Sequence, residues 1–384
     1  MNQRYYSLDV FRGATVALMI LVNNPGSWAH IYSPLEHATW HGCTPTDLVF
    51  PFFLFAVGNA LAFVMPRFEQ AGSTVFLKKV FKRALLIFAI GLFLNWSPFV
   101  KWEGTVLVGK PWQSIRIMGV LQRIALCYLL ASLIIFFLKK TKTIILFSSA
   151  LLLLYWFICL QWVDSADPYS LPGFFGTKVD LTLLGINHLY RGEGVPFDPE
   201  GLASTLPAIV QVVAGYLVGQ YIRSKGKTFE MLSHLFIYGA ILIFIGFCWD
   251  MVFPINKKIW TSSYVLYTTG LAMMVLGLLI YLLEFKEAKG AWSRFFDVFG
   301  KNPLFIFFLS GFLPRVLALL RWTDHLNDAG KPVYTTAFSL FYEHICKPVF
   351  DNPKNGSLLY AICMIAFYWL IVYILDKRKI YIKV

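Results

Sequence analysis

The chain has 384 residues, of which 58% are hydrophobic and only 14% are charged, and its mean hydropathy is +0.62. These values exclude an ordinary soluble globular protein and indicate an integral membrane protein. The net charge of +13 does not require a nucleic-acid partner, because Lys and Arg concentrate in short loops, as they do on the cytoplasmic side of membrane proteins. The six cysteines have no CxxC spacing, so no metal site is predicted.

Apolar runs of about 20 residues, enough to cross a hydrocarbon core of about 30 Å, occur along the whole chain. We predict an all-α integral membrane protein with about ten transmembrane helices in a single domain, residues 1–384. The predicted spans lie near residues 12–30, 46–66, 80–97, 114–138, 143–163, 203–222, 232–253, 262–284, 297–320 and 357–376. The first run lacks a small-residue cleavage site, so we expect a retained span rather than a removed signal peptide.

Charge predicts the orientation of these spans. An even number of spans places both termini on one side, and the basic segments "KKTK", "RSKGK" and "DKRKIYIKV" identify that side as the cytoplasm, whereas residues 24–45 contain no Lys or Arg. The long connections near 164–202 and 321–356 then fall on the outer face, where we expect a binding site. Within the second connection, "TTAFSLFYEHICKPVF" predicts an interfacial helix rather than an eleventh span. Cys43 and Cys346 also fall on this face and could pair.

Few ionisable side chains fall within the predicted spans, where a charge costs about 2.5–3.5 kcal/mol at mid-span unless it has a partner or a wet cavity. Asp9 and Arg12 are three residues apart at the inner end of the first span, a spacing that favours an ion pair. Arg123 is predicted about nine residues inside the fourth span, roughly 13 Å deep at about 1.5 Å per residue. It should face a cavity or pair with a carboxylate, for which Asp47 and Asp250 are the candidates.

The segment "EHATWHGCTPTDLVFPFFLF" places two histidines, a tryptophan and an aspartate directly before the second span. Asp47 suits a helix N-terminus, which Thr44 or Thr46 could cap. Capping does not explain His37, whose imidazole could fold back so that Asp47 holds one ring nitrogen, as in an oriented general base. The alternative is an inert loop histidine.

Eight motifs follow one another along the chain: "RYYSLDVFRG", "ILVNN", "EHATWHGCTPTDLVFPFFLFAVG", "GVLQRIALCY", "NHLYR", "FDPEGLASTLPAIV", "PINKKIWTSSYV" and "YWLIVYILDKRKIYIKV". In this order, from Arg4 to the C-terminus, they resemble the transmembrane domain of the heparan-alpha-glucosaminide N-acetyltransferase family and its bacterial members. The resemblance implies an enzyme of the bacterial inner membrane that takes acetyl from cytoplasmic acetyl-CoA and places it on the amine of a terminal glucosamine across the membrane.

The resemblance also implies roles for individual residues. The family's catalytic histidine, in the block H-A-[ST]-W-x-G, falls on His37 and the following aspartate on Asp47, whereas His41 becomes a bystander. The family's lysosomal member has a further luminal region and span, so we expect the ten-span core to stand alone here. The segment near 321–356 also differs from the family, which leaves the acceptor sugar open. Some bacterial relatives are described as amino-sugar transporters, so a transporter is the alternative function.

Coenzyme A carries phosphates that need cationic or polar partners. The predicted cofactor contacts are Arg12, Arg123, Gln122, Lys301 and Asn302. The predicted contacts to the acceptor sugar or to an oxyanion are Asn23, Trp40, His188, Asp198, Glu200, Asn256, Lys258 and Trp260. Each has a structural alternative, such as helix–helix hydrogen bonding, ion pairing or loop bracing. The sequence leaves open whether His37 is a general base or carries the acetyl group, and whether the protein is a homodimer.

Overall fold

The computed structural model describes residues 5–163, 166–328 and 330–382, which form a bundle of helices with two small hairpins. The helices are α1 (Tyr6–Asn23), α2 (Val49–Ala71), α3 (Ser73–Trp96), α4 (Val120–Leu138), α5 (Thr141–Gln161), α6 (Phe175–Leu184), α7 (Leu202–Lys225), α8 (Phe229–Asp250), α9 (Ser262–Ile280), α10 (Ala291–Lys301), α11 (Pro303–Leu317), α12 (Ala337–Phe341) and α13 (Pro353–Lys377). The strands are β1 (Val100–Glu103), β2 (Val106–Gly109), β3 (Arg321–Leu326) and β4 (Pro332–Thr336), paired β1 with β2 and β3 with β4, both antiparallel.

Hydropathy and length identify the spanning helices within the described ranges. Eight helices are long and apolar enough to cross a membrane, and α10 with α11 makes a ninth that is bent by 78°. The 24-residue helix α3 lies on the third predicted span, with Lys78, Lys79, Lys82 and Arg83 near its beginning. The prediction of an all-α integral membrane protein with about ten transmembrane helices is therefore confirmed.

Two predicted boundaries were wrong because local backbone chemistry overrides the hydrophobic run. The first helix ends at Asn23 rather than near residue 30, since a residue that precedes a proline, here Asn24 before Pro25, avoids the helical conformation. The ninth predicted span is broken at Asn302 for the same reason, and Pro303 begins α11 at the first helical position, where its missing N–H is tolerated.

The fourth helix also begins later than predicted. Residues 115–119 carry no regular secondary structure, and α4 starts only at Val120, after Gly119. Arg123 therefore lies in the first turn of α4, and the prediction that it lies about nine residues inside this helix was wrong.

The connections at the end of the bundle that carries residues 24–48 contain structure that the sequence did not predict. The hairpins β1–β2 and β3–β4 meet because Trp102 donates from Nε1 to the carbonyl oxygen of Leu319 at 3.1 Å, and the Arg321 guanidinium stacks on the Trp102 and Tyr334 rings. The segment predicted as an interfacial helix is helical over residues 337–349, as α12, a π-helical turn (Tyr342–Cys346) and a 3-10 turn (Lys347–Val349). Cys43 and Cys346 are both unpaired.

Close packing of α2 against α7 fixes the helix that starts next to Asp47. A Cβ atom on Gly58 of α2 would lie 1.9 Å from the carbonyl oxygen of Val212, and one on Gly215 of α7 would lie 2.1 Å from that of Phe55. Only glycine permits this approach, as is common between transmembrane helices. The start of α2 is thereby held against the start of α7.

Candidate active site

Asp47 is the anchor of the site. It lies on a single 3-10 turn, Pro45–Leu48, that leads into α2, and only 1% of its surface is exposed. Its Oδ2 accepts from the main-chain N–H groups of Ala38 and Thr44, both at 3.0 Å, and from Thr44 Oγ1 at 3.1 Å. The Tyr264 hydroxyl donates to the main-chain carbonyl of Asp47 at 2.6 Å. Three donors thus fix the buried carboxylate in one orientation, Tyr264 holds the main chain of the same residue, and Thr44 is the capping partner.

His37 folds back onto this carboxylate as the sequence predicted. Its Nδ1 lies 2.7 Å from Asp47 Oδ1. Because an ionised carboxylate only accepts hydrogen bonds, Nδ1 carries the proton and Nε2 carries the lone pair. The side chain is 46% exposed, so Nε2 is accessible to a ligand. This is the geometry of an oriented base or nucleophile.

Lys257 is the third member of the cluster, and sequence reasoning missed it. Its Nζ lies 3.1 Å from His37 Nδ1, 3.5 Å from Nε2 and 3.4 Å from Asp47 Oδ1. Burial lowers the pKa of Lys257, although the carboxylates of Asp47 and Glu200 oppose this effect. The prediction selected its two neighbours, Asn256 and Lys258, because nothing in the sequence distinguishes the side of the turn on which each residue lies.

A tight turn presents Lys257 to His37. The Gly42 N–H donates to the Ile255 carbonyl at 2.7 Å, and Gly42 has a φ of +105° that favours glycine. Asn256 holds the turn internally, since its Oδ1 accepts from Ile259 N at 3.1 Å and its Nδ2 lies 3.3 Å from His41 Nδ1. Asn256 is fully buried and thus braces the loop, and His41 is engaged with it rather than with Asp47.

Arg116 is a second residue that the prediction missed, and it engages both carboxylates expected to bind a sugar. It donates to Asp198 through Nε at 2.9 Å and through Nη2 at 2.6 Å, and it also pairs with Glu200. Burial would lower the pKa of Arg116, but Glu200 and Asp198 raise it above its usual range. Its guanidinium lies 4.6 Å from the centre of the Tyr190 ring. Asp198 is 1% exposed, so it orients Arg116, whereas Glu200 also faces a cavity.

Arg123 is completely buried but does not pair with the predicted carboxylates. Its Nη2 donates to the Gly201 carbonyl at 3.0 Å and to Ser204 Oγ. The start of α4 faces the start of α7, and this arrangement gives Arg123 its partners.

The expected partners of Arg123 are occupied elsewhere. Asp47 binds His37, as described above, and Asp250 accepts from the Ile255 N–H at 2.5 Å. The Arg123 guanidinium instead lies 5.1 Å from the centre of the Trp260 ring, and its Nε and Nη1 have no hydrogen-bond partner among the described residues.

The remaining predicted acceptor contacts divide into two groups. Trp40, Lys258 and Trp260 line the cavity beside His37, and Asn23 lines the next one. His188 instead braces a loop, since its Nδ1 lies 2.6 Å from the Ile115 carbonyl oxygen.

Trp40 and Lys258 are also engaged within the loops. Trp40 Nε1 donates to the Tyr169 carbonyl at 2.8 Å, so this indole is not available as an oxyanion donor. Lys258 Nζ donates to Glu193 at 2.6 Å and to the Thr39 carbonyl at 2.8 Å.

Two of the predicted cofactor contacts, Lys301 and Asn302, are engaged within the chain at the opposite end of the bundle. Lys301 pairs with Asp297 at 2.8 Å and Asp376 at 3.0 Å. Asn302 is fully buried and binds the main chain of Ile380 and Ile382.

Arg12 and Gln122 are placed differently. Arg12 forms the predicted pair with Asp9 at 2.5 Å and also lines a cavity. Gln122 is 1% exposed and packs against Gly91 and Gly119, so its role is in helix packing.

A series of neighbouring cavities with shared lining residues extends between the two ends of the bundle. The histidine cavity, of about 230 Å³, is lined by His37, Trp40, Tyr190, Glu200, Lys257 and Trp260 among others. The middle cavity, of about 150 Å³, shares His37, Val120, Glu200 and Lys257 with it. The arginine cavity, of about 140 Å³, shares Phe53 and Ile124 with the middle cavity and is lined by Arg12 and Arg83. A further cavity of about 320 Å³ shares Arg12 and adds Arg67.

Fold and site together define a polytopic membrane protein with an aspartate-oriented histidine at one end of a series of cavities and arginines at the other. A family model described as heparan-alpha-glucosaminide N-acetyltransferase, catalytic, matches residues 4–247, and the chain belongs to this family. It is 26% identical, over 99% of its length, to the heparan-alpha-glucosaminide N-acetyltransferases of Homo sapiens and Mus musculus. The chain spans 60% of the length of each relative. The resemblance drawn from the motifs is confirmed.

Proposed function

We propose that the chain, as a single polytopic domain, is a transmembrane N-acetyltransferase that moves acetyl from acetyl-CoA to the amine of a glucosamine-type sugar. The observation that carries this proposal is the His37–Asp47 pair, whose accessible Nε2 faces the end of the cavities. The activity for which the two relatives are named agrees with it.

The amine of an amino sugar is protonated at neutral pH and must lose a proton before its nitrogen can attack a thioester. His37 Nε2 can accept that proton while Asp47 stabilises the imidazolium through Nδ1. Alternatively, Nε2 attacks the thioester carbonyl and carries the acetyl group as an acyl-imidazole, which the sugar amine then cleaves. Both routes require the tautomer that Asp47 holds.

The donor end of the proposal is based on charge. Coenzyme A carries a pyrophosphate and a 3′-phosphate, which guanidinium groups bind well. Arg12, Arg67 and Arg83 line the two cavities at the end far from His37. We assign the phosphates to these arginines, and the middle cavity suits the thioester arm, because its lining is largely apolar.

The acceptor end is suited to a sugar. Trp40 and Tyr190 offer aromatic surfaces beside His37, and such surfaces suit a sugar ring, whereas Trp260 is fully buried behind them. Glu193 and Glu200 offer carboxylates that suit an ammonium group. The sugar amine would approach His37 Nε2 between these two kinds of side chain.

Basic loops and the number of spans support a multi-pass protein of a bacterial inner membrane with both termini in the cytoplasm. In this orientation the arginines face the cytoplasmic acetyl-CoA, and His37 faces the outer side. The lipid bilayer and an amino-sugar or glycan acceptor are the proposed partners, and a homodimer is the proposed assembly.

Acetyl transfer by the purified full-length protein tests the proposal. The protein is incubated with acetyl-labelled acetyl-CoA and a panel of amine-bearing sugars, and binding of coenzyme A is measured separately by calorimetry. We expect labelled product with glucosamine-type acceptors and none with N-acetylglucosamine, which lacks a free amine. The absence of transfer to every acceptor would overturn the proposal, and uptake of amino sugar by liposomes without acetyl-CoA would favour a transporter.

A further inference from the structure

Lys257 Nζ does not lie in the plane of the His37 ring, as the donor of an ordinary hydrogen bond to a ring nitrogen would. The lone-pair directions of the two ring nitrogens diverge, so an atom 3.1 Å from Nδ1 and 3.5 Å from Nε2 cannot lie along both. Nδ1 already donates to Asp47 at 2.7 Å. Nζ therefore lies over the imidazole ring, slightly nearer Nδ1 than Nε2, and leaves the Nε2 lone pair free for a ligand.

The other cationic side chains of the histidine cavity and the Trp40 indole are engaged, whereas the buried Trp260 Nε1 has no hydrogen-bond partner among the described residues. Arg116 binds Asp198 and Glu200. Lys258 binds Glu193 and the Thr39 carbonyl. The Trp40 indole binds a main-chain carbonyl, as described above.

Lys257, in contrast, retains donor capacity. Its ammonium has three N–H groups, and its one carboxylate contact among the described residues is Asp47 Oδ1, at a long 3.4 Å. Lys257 also lines both the histidine cavity and the middle cavity. At least one N–H is thus available to an oxygen atom that arrives next to Nε2.

We propose that Lys257 is a catalytic residue whose ammonium stabilises the oxyanion that forms on the acetyl group during transfer. This inference rests on the proposed function. It assigns a role to a residue that lies outside the range matched by the family model, 4–247.

The transfer creates that oxyanion in either route. In the direct route, the ammonium first passes one proton through His37 Nε2 to water. The neutral sugar nitrogen then bonds to the carbonyl carbon and gives a second proton to Nε2, while the C=O π electrons move to oxygen. When these electrons return, the C–S bond breaks, and the thiolate leaves with that bond's electron pair and takes the proton from His37. In the two-step route, Nε2 itself bonds to the carbon, and the oxygen is charged in the same way before the thiolate leaves with the C–S electron pair. The sugar amine, which has lost one proton to water, then bonds to the carbon, Nε2 leaves with the electron pair of its C–N bond, and the second amine proton passes to the thiolate. The charge is transient, so a fixed cation beside Nε2 accelerates the step without tightening ground-state binding.

The groups that face Lys257 determine its charge state. Asp47 and His37 face it from the segment before α2, Glu200 from the loop before α7, and Cys43 from the turn near Gly42. Burial raises the pKa of the Cys43 thiol to about 12, so this thiol is neutral near pH 7. Burial lowers the pKa of Lys257, which predicts that activity falls at alkaline pH as the ammonium is lost.

Two neutral variants, Lys257→Met and Lys257→Gln, test the role, because glutamine keeps a donor near Asp47 if methionine disturbs folding. In full-length protein we expect kcat to fall about 10²–10³-fold, while the KM for acetyl-CoA and the calorimetric affinity for coenzyme A change less than about threefold. Lys225→Met is the matched control, because Lys225 forms an exposed pair with Glu230, and its kcat should equal that of the wild type.

Lys257→Arg gives a second readout, since arginine keeps its charge at high pH. We expect the alkaline fall of kcat to move to higher pH. Wild-type kcat in either folded neutral variant, or a rise in the acceptor KM alone, would overturn the role of Lys257 and leave the proposed function intact. An inactive wild-type protein would overturn both.

Discussion

Two lysine–carboxylate clusters, at opposite ends of the bundle, use the same residue types for different purposes. At one end, Lys257 and His37 share the carboxylate of Asp47. At the other end, Lys301 joins Asp297 of α10 to Asp376 of α13. Both clusters link segments that are far apart in sequence.

The clusters differ in what lies next to them. The Lys301 cluster is closed by Asn302, whose amide binds the main chain of the C-terminal segment at 2.8 and 3.2 Å. The His37 cluster leaves Nε2 of a half-exposed imidazole and part of an ammonium facing two cavities. A charged group at the end of a span therefore indicates chemistry only where a cavity reaches it.

His37→Ala should have the largest effect. It removes the base or nucleophile, so we expect kcat for acetyl transfer to fall at least about 10³-fold, with the affinity for coenzyme A unchanged. Single-turnover assays with calorimetry in parallel would measure both. If His37→Ala kept more than a tenth of wild-type activity, the His37 cluster would be no more catalytic than the Lys301 cluster.

Asp47→Asn should have the next largest effect. The amide keeps the shape but no longer fixes the Nδ1–H tautomer or stabilises an imidazolium, so we expect kcat to fall about 10²-fold or more. The thermal midpoint serves as the control for folding, because the oxygen of the new side-chain amide would still accept from the N–H groups of Ala38 and Thr44. A large loss of stability with unchanged kcat in the folded fraction would show that Asp47 is only a helix cap.

Lys301→Met should affect stability rather than activity. It leaves two carboxylates unpaired, and we expect a loss of about 1–3 kcal/mol, discounted for the partial exposure of the lysine. Thermal unfolding in detergent measures this loss. An unchanged midpoint with a raised KM for acetyl-CoA would instead place Lys301 among the cofactor contacts that the sequence predicted.

Arg83→Met tests the arginine cavity. Its guanidinium lies 5.0 Å from the centre of the Tyr128 ring, and loss of one phosphate contact should weaken coenzyme A binding about tenfold, or about 1.4 kcal/mol. The difference in affinity between coenzyme A and dephospho-coenzyme A should be smaller for the variant than for the wild type. Equal affinities for wild type and variant would remove Arg83 from the binding site.

Asp180→Asn should have the smallest effect, visible only through pH. Burial raises the pKa of Asp180 to about 7 from an ordinary value of 3.8, so the stability that its protonated form contributes is present below about pH 4 and is lost as the pH rises through about 7. The variant keeps an oxygen to accept from Leu202 N but has no such titration. We expect the wild-type Tm to fall by about 3 °C more than that of the variant between pH 4 and 8; parallel curves would contradict this.

Local sequence predicted the parts of the molecule that local forces determine. Long apolar runs predicted the helices, and a separation of ten residues was enough to predict the contact between His37 and Asp47. The prediction missed the breaks at Asn24 and Asn302 because the apolar run continues past them, although a proline follows each asparagine and interrupts the helix.

Long-range contacts account for what the sequence could not predict. Lys257 lies 220 residues from His37 in sequence and reaches it only because Gly42 pairs with Ile255. Arg116 lies 82 residues from Asp198. The loops contain many lysines and arginines, and the sequence does not show which of them contacts a given partner. Only the packing of the helices determines these contacts.

Acetyl transfer across a sealed membrane tests the account most directly. Full-length protein is reconstituted in liposomes with glucosamine inside and acetyl-labelled acetyl-CoA outside, and the trapped product is measured for the wild type and for His37→Ala. We predict labelled N-acetylglucosamine inside the vesicles with the wild type and none with the variant, while coenzyme A accumulates outside. Product that forms only when donor and acceptor share one compartment, or equally with His37→Ala, would contradict a histidine-dependent transmembrane acetyltransferase.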